Sequence, residues 1–169
     1  GGGLYVSNVQ NVNVLNSKFI DNSAGADGGA LGYMVDLVHP LELTIRDSLI
    51  AGSQTGRYGA VTLVNPVDFN FDGEMGLATI HTINTVFKNN TAKEGGAVWV
   101  NRLLNFKISD STFYGNEALE NGGALKISSA DGTISSISVE DTTMTENIAG
   151  GRGGAMATQL MKVRLQAST

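Results

Sequence analysis

Residues 110–128 read DSTFYGNEALENGGALKIS and contain the full pattern on which the chain is built. The segment opens with an Asp-Ser pair and continues with Phe113-x-x-Asn116. It then bends through polar residues to Gly122-Gly123-Ala124, after which apolar residues alternate with polar ones. Alternation of this kind is typical of a strand with one buried face, and the paired glycines are typical of a sharp turn.

The same elements recur in the same order at four other places in the sequence. Each unit begins with Asn or Asp followed by Ser or Thr, and these first residues are Asn16, Asp47, Asn84, Asp110 and Asp141. The intervals between them range from 26 to 37 residues. A fixed internal order at such a period predicts a solenoid, in which each unit contacts mainly its neighbours.

Each unit is expected to contribute strands and no helix. The pairs that alternate before the Asn/Asp are Val12 and Val14, Leu43 and Ile45, Ile80 and Thr82, Phe106 and Ile108, and Ile137 and Val139. The next apolar position is held by Phe19, Ile50, Phe87, Phe113 and Met144. The predicted fold class is all-β: a right-handed parallel β-helix of about five coils, with partial coils at both ends.

Polar residues at equivalent positions are expected to stack in ladders about 4.8 Å apart along the axis of the helix. One such ladder is Asn22, Ser53, Asn90, Asn116 and Asn147. Stacked amides bond to one another and to the backbone at a bend. We expect the Gly-Gly pairs to form corners that need positive φ or close contact between coils.

The composition is that of a single acidic domain. The 169 residues carry a net charge of −5, include no cysteine and hold no apolar run long enough for a membrane span. The acidic balance disfavours a nucleic-acid partner. We interpret residues 1–169 as one β-helix domain that starts and stops within a repeat, and so as a piece of a longer array.

The paired GGA[ILV] and FxxN elements resemble the repeats of the chlamydial polymorphic outer membrane proteins and of related β-helix adhesins. The resemblance covers nearly the whole chain. The second unit departs from it, with Ile50 for Phe, Ser53 for Asn and Tyr58-Gly59-Ala60 for GGA. The resemblance implies a parallel β-helix that is displayed at the cell surface or extracellularly.

An inserted loop at residues 65–76 contains the pattern D-x-N-x-D-G, which is similar to the first half of an EF-hand calcium loop. The predicted calcium ligands are Asp68, Asn70, Asp72 and Glu74. The twelfth position is Thr79 in place of the usual Glu, so a further ligand has to come from elsewhere, for example Asp36. The competing interpretation is a solvated acidic turn whose Phe69 and Phe71 pack on the coil.

The histidines and acidic residues do not form the arrangement of a catalytic site. His39 and His81 lie in different units and have no metal-ligand spacing. The acidic residues are dispersed, mostly one per coil, whereas glycoside hydrolysis needs a pair of carboxylates. We therefore expect no enzyme activity and no cofactor apart from the calcium hypothesis. Asn89-Asn90-Thr91 has the form of an N-glycosylation sequon, which requires Asn89 to face outward.

These observations favour a non-enzymatic surface or extracellular repeat, an adhesin-like passenger or stalk whose partner is a protein or glycan on a cell surface. The first alternative is a structural protomer that stacks on copies of itself in a filament or appendage, through unpaired coil ends. The second alternative is a fragment of a pectate-lyase-like carbohydrate-active enzyme.

Overall fold

The computed structural model describes residues 1–34, 41–64, 78–101, 105–128, 135–159 and 161–166. These residues form 22 strands and no helix. In chain order the strands are β1 (Leu4–Ser7), β2 (Asn11–Leu15), β3 (Lys18–Ile20), β4 (Ser23–Ala24), β5 (Leu31–Met34), β6 (Leu41–Arg46), β7 (Leu49–Ala51), β8 (Gln54–Thr55), β9 (Val61–Val64), β10 (Ala78–Ile83), β11 (Val86–Lys88), β12 (Thr91–Ala92), β13 (Val98–Asn101), β14 (Asn105–Ser109), β15 (Thr112–Tyr114), β16 (Glu117–Ala118), β17 (Leu125–Ser128), β18 (Ser135–Glu140), β19 (Thr143–Thr145), β20 (Ile148–Ala149), β21 (Met156–Gln159) and β22 (Met161–Gln166).

Every fourth strand is a neighbour in space, so the strands stack into four parallel sheets that run along the molecule. Sheet A holds β1-β5-β9-β13-β17-β21, and sheet B holds β2-β6-β10-β14-β18-β22. Sheet C holds β3-β7-β11-β15-β19, and sheet D holds β4-β8-β12-β16-β20. The chain winds as a right-handed parallel β-helix of about five coils, the hand that parallel crossover connections almost always adopt. The predicted fold class is confirmed.

The register of the sheets places the predicted apolar positions on top of one another inside the coil. In sheet C, Phe19, Ile50, Phe87, Phe113 and Met144 are successive partners. Phe87 and Phe113 are fully buried and stack with ring centroids 4.6 Å apart. Sheets A and B add alternate residues to the same core, including Leu31, Leu43 and Ile108. The core therefore extends along the whole array of stacked coils.

The predicted amide ladder forms at the turn between sheets C and D. Asn116 donates from Nδ2 to Asn147 Oδ1 at 2.9 Å and to the Phe87 carbonyl at 3.0 Å. Its own Oδ1 accepts from the amide and from Nδ2 of Asn90, at 3.1 and 2.9 Å. Asn90 and Asn116 are fully buried, so these bonds satisfy polar groups that water cannot reach.

The ladder is interrupted at Ser53. The Ser53 backbone N–H donates to Asn90 Oδ1 at 3.0 Å, but its buried hydroxyl has no hydrogen-bond partner in the described part of the chain. A serine is too short to reach the carbonyl that an asparagine bonds in the other coils. The second unit thus has one fewer link of this ladder.

Left-handed backbone conformations mark three turns of the coil. The Asn/Asp that opens each unit has a φ between 46° and 52°. A second such turn precedes the amide ladder and is held by Asp21, Gly52, Asn89, Gly115 and Glu146. The third is the first glycine of the Gly-Gly pair, as in Gly122 with φ 70°. Asn, Asp and Gly are the residues that accept this region most readily, which accounts for their recurrence.

The second glycine of the pair is required for a different reason. Gly123 has no positive φ, but a Cβ there would lie 2.0 Å from the Gly154 carbonyl oxygen of the next coil. Close contact between coils therefore requires a residue without a side chain at this position. The two predicted reasons for the glycine corners are both present. The first glycine of the pair needs positive φ, and the second allows close contact between coils.

Candidate binding surface

The outer face of sheet A differs from coil to coil, unlike the core. Its central outward positions form a cross-strand series that consists of Tyr5, Gly32, Thr62, Trp99, Lys126 and Ala157. The inward neighbours of these residues are all apolar along β5, β9 and β13. Since the fold sets the inward residues and leaves the outward ones free to vary, this face is the first place to look for binding residues.

An aromatic pair dominates the face. The rings of Tyr58 and Trp99 stack with centroids 3.8 Å apart and an interplanar angle of 9°. Trp99 is only 6% exposed although it points away from the core. Its indole Nε1 donates to Glu94 Oε2 at 3.3 Å, which fixes the orientation of the ring. Tyr58 therefore covers the Trp99 ring, and the pair is held in one orientation on the outside of the coil.

Charged residues extend the pair on both sides. The Arg57 guanidinium lies 4.9 Å from the centroid of the Tyr58 ring and binds Asp27 through Nε and Nη2 at 3.4 and 3.3 Å. On the other side, Asn121 Nδ2 donates to Glu94 Oε1 at 3.2 Å. The network links side chains from four successive coils, and we call Asp27, Arg57, Tyr58, Glu94 and Trp99 the corner cluster.

A shorter corner in the second unit brings Tyr58 into this position. Tyr58 is bridged to Asp27 and Glu94, the residues that precede the Gly-Gly pairs of the flanking units. The interpretation of Tyr58 as a replacement for the first glycine is therefore wrong: the unit lacks that residue, and Tyr58 occupies the position before it. Thr62 stabilises the shorter corner, because its Oγ1 accepts from the Gly28 amide at 3.1 Å and lies 3.0 Å from the Tyr58 carbonyl, to which it donates.

The connections between sheets A and B show the greatest variation in length. Strand β9 ends at Val64 and β10 begins only at Ala78, whereas β13 ends at Asn101 and β14 begins at Asn105. The turns between sheets B and C and between C and D keep one length throughout. In solenoids, insertions of this kind collect on one side of the stack, which is often the binding side.

The predicted calcium ligands Asp68, Asn70, Asp72 and Glu74 lie outside the described residues, as do Asp36, His39, Phe69 and Phe71. The calcium hypothesis stays a prediction. Thr79 lies in β10, where it pairs with Glu42 and Asn105. Within the described ranges there is no group of three or more His, Cys, Asp or Glu side chains that could hold a metal ion.

The remaining predicted residues are dispersed over the coil. His81 lies on the outer face of sheet B between Thr44 and Lys107. Asp47, Asp110 and Asp141 hold left-handed turns, and Asp47 Oδ1 accepts from Asn84 Nδ2 at 2.6 Å. Asn89 is exposed at a turn with φ 54°, so the outward orientation that the sequon requires is present.

Two tyrosines have shifted acidities. Burial raises the pKa of the Tyr33 hydroxyl, which donates to the Val9 carbonyl inside the first coils. A hydrogen bond to Glu146 raises the pKa of the exposed Tyr114 hydroxyl, and the negative charge of Glu146 adds to that effect. Neither hydroxyl is placed to ionise near neutral pH, so neither supplies a general base.

Two segments match the model of the Chlamydia polymorphic membrane protein repeat, residues 84–101 and 110–128. They run from the first turn of a unit, through sheets C and D and the Gly-Gly corner, to the end of the sheet A strand. The resemblance noted in the sequence is thus confirmed at two of the five units, the ones that hold Phe-x-x-Asn and GGA without substitution.

The other units share the backbone register of the two matched units but change their marker residues, as with Ile50 and Ser53 or with Met144. Searches of curated proteins and of solved structures gave no significant match. The described residues contain no helix of the length and apolarity needed to cross a membrane.

The corner cluster was not predicted from the sequence. Its signal was present, because Tyr58 stands where the repeat departs from its pattern and Trp99 is the one tryptophan of the chain. Arg57 and Glu94 precede the corners and have no distinguishing spacing. Their partners become evident only when the coils are stacked.

Proposed function

We propose that this chain is a non-enzymatic binding module displayed at a bacterial cell surface, an adhesin-like section of a polymorphic membrane protein. The two matched repeats support a membrane-protein context. The display of the module at the surface, its adhesive role and its extracellular partner, a protein or glycan, belong to the proposal.

The observation that carries the proposal is the contrast between the inside and the outside of one continuous stack. The inward positions stay apolar and in register through the described coils, and polar ladders fix the turns. The outward positions of sheet A change from Gly to Thr to Trp over three successive coils, and the connections from sheet A to sheet B change in length. A rigid rod with variable side chains on one face is suited to presentation and contact.

The absence of enzyme activity is likewise part of the proposal. The carboxylates of the described ladder serve as turn residues with left-handed backbone, and they lie on the outside of the coil. Cleavage of a glycosidic bond by a carboxylate pair needs one carboxyl group of raised pKa next to one that stays ionised. Treating polyuronides with the purified chain and measuring unsaturated products and new reducing ends tests this directly; turnover above a buffer blank would contradict it.

Binding is tested with the fluorescently labelled chain and cultured epithelial cells. We expect saturable binding that excess unlabelled chain displaces. As a control, the heat-denatured chain should show no saturable binding that unlabelled folded chain displaces. Signal that rises linearly with concentration and resists competition would contradict an adhesive role.

A further inference from the structure

A trough lies on the outer face of sheet A, beside the ring of Tyr5. Its floor includes the small residues Gly32 and Thr62, and its volume is about 220 Å³. The Tyr5 ring borders the trough from the neighbouring strand, close enough to Gly32 that a Cβ there would lie 3.2 Å from Tyr5 Cδ2. The stacked pair of Tyr58 and Trp99 lies beyond Thr62 and does not line the trough.

The wall on the Tyr5 side is apolar and accessible. Tyr5 is 54% exposed and Met34 is 37% exposed, and the Tyr5 hydroxyl donates to Met34 Sδ at 3.5 Å. Val64, the cross-strand neighbour of Met34, continues the apolar surface. A ligand here meets a flat ring and an aliphatic strip that are already in contact with each other.

The corner side of the trough is charged. Asp27 lines it, with 28% of its side chain exposed, and each of its two oxygens has one contact to Arg57. Every carboxylate oxygen accepts more than one hydrogen bond, so both oxygens retain capacity. The Arg57 side chain is 58% exposed and is held by the Tyr58 ring, which leaves N–H donors directed to solvent.

The backbone of the floor cannot pair with a partner strand. Strand β5 is already bonded to β1 and β9, and β9 is bonded to β5 and β13. A peptide therefore cannot add to the sheet at this place, which removes the main source of affinity for extended chains. The volume is also below the roughly 300–1,000 Å³ that is typical of pockets for drug-sized ligands, so the trough fits a single small ring.

We propose that this trough binds one pyranose ring of a glycan. The C–H face of the ring lies against Tyr5 and Met34, and two neighbouring hydroxyls donate to Asp27 and accept from Arg57. A sugar ring combines an apolar face with vicinal hydroxyls, which matches an aromatic platform beside an exposed ion pair. This inference rests on the proposed binding function and specifies its ligand class.

The test uses nuclear magnetic resonance of the isotope-labelled chain. The probes are the methyl glycosides of glucose, galactose, mannose and N-acetylglucosamine at millimolar concentrations. At least one is expected to shift the amide resonances of Gly32 and Thr62 saturably.

Tyr5→Ala removes the platform without touching the core, because Tyr5 is exposed. We expect it to weaken glycoside binding by about tenfold or more, the order of a lost aromatic contact. Tyr114→Ala is the matched control, since Tyr114 is an outward tyrosine of sheet C that lies beside Lys88 and not beside the trough. It should leave the affinity within about twofold of the original chain, because no aromatic contact is lost.

Three outcomes would overturn the inference. The first is no saturable shift at Gly32 and Thr62 with any of the four glycosides. The second is an equal loss of affinity in Tyr5→Ala and Tyr114→Ala. The third is a saturable shift at these amides with an apolar tripeptide but with no glycoside, which would assign the trough to a protein side chain.

The result is separable from the proposed function. If the chain binds epithelial cells and no glycoside, the sugar inference fails and the adhesive function stands. If the glycosides bind at Gly32 and the chain does not bind cells, the sugar site stands and the adhesive function fails.

Discussion

The units at residues 47–64 and 110–128 have the same three strands, one each in sheets C, D and A, yet different residues form their turns. The later unit has Phe113 in the core, Asn116 in the amide ladder and Gly122 at the corner. The earlier unit has Ile50, then Ser53 with an unpartnered hydroxyl, and a corner that is one residue shorter. The backbone register is unbroken through both.

The difference shows that the second unit has fewer stabilising contacts inside the coil and more on its surface. Its weaker ladder and smaller core residue are accompanied by contacts on the outside, where Tyr58 stacks on Trp99 and Thr62 bonds the shorter corner. The regular unit is stabilised mostly from within, and the irregular unit is stabilised partly from its surface. Of these residues, Thr62 also lines the trough.

The largest effect is expected in the core of the regular unit. Phe113→Ala should lower the free energy of unfolding by about 3–5 kcal/mol, because Phe113 is fully buried and stacks on Phe87. Ile50→Ala, at the same register position in the second unit, should cost about 2–3 kcal/mol since it removes fewer atoms and no ring pair. Urea denaturation measures both, and a larger loss at Ile50 would invert the comparison.

The next effect concerns the amide ladder. Asn116→Ala leaves the buried amide and Nδ2 of Asn90 without their shared acceptor, so we expect a loss of about 3 kcal/mol. Ser53→Ala removes a hydroxyl that has no partner and should change stability by less than about 0.5 kcal/mol. Similar losses in the two variants would show that the ladder contributes equally in both units.

The comparison is sharpened by completing the ladder. Ser53→Asn should let Nδ2 reach Asn90 Oδ1 and the Phe19 carbonyl, as Asn116 reaches Asn147 and Phe87. We expect a gain of about 1 kcal/mol, the net value of a typical buried hydrogen bond. Thermal unfolding and amide exchange of Asn90 measure the gain. A loss of stability would mean that the coil has no room for a side chain longer than serine at position 53.

The smallest effect tests a turn at which the second unit is the better adapted one. Gly52 holds the left-handed position before the ladder, whereas the fifth unit has Glu146 there with φ 56°. Glu146→Asn should raise stability by about 0.5 kcal/mol, because Asn accepts this conformation at lower cost. The exposed hydrogen bond to Tyr114 is lost, and the pKa of Tyr114 should fall towards its usual value. A drop in melting temperature would contradict the argument.

The repeat allowed most of the fold to be predicted. Five copies of one pattern indicate which residues are equivalent, and equivalent residues in a parallel coil must stack. The positions of Phe113 and Ile108 in the core therefore followed from the alignment of the repeats alone. The left-handed turn at Gly115 and Asn89 was missed although Asp, Gly and Asn recur there. The position of Tyr58 was misread because alignment by the Gly-Ala pair conceals a missing residue.

The binding surface was less predictable for a physical reason. Arg57 and Asp27, or Glu94 and Trp99, meet because of the corner geometry and not because of a motif, and the fold constrains outward residues weakly. Asp68, Asn70, Asp72 and Glu74 lie outside the described residues, so the calcium hypothesis rests on the pattern alone.

The hydrogen bonds between the asparagines of the amide ladder all run in one direction. The amide and Nδ2 of Asn90 donate to Asn116, and those of Asn116 donate to Asn147. Each of these asparagines therefore presents an acceptor to the coil before it and donors to the coil after it. A duplicated coil of this kind would find both partners between two such coils, so a single gene duplication there can lengthen the rod by one unit without a compensating substitution in the ladder.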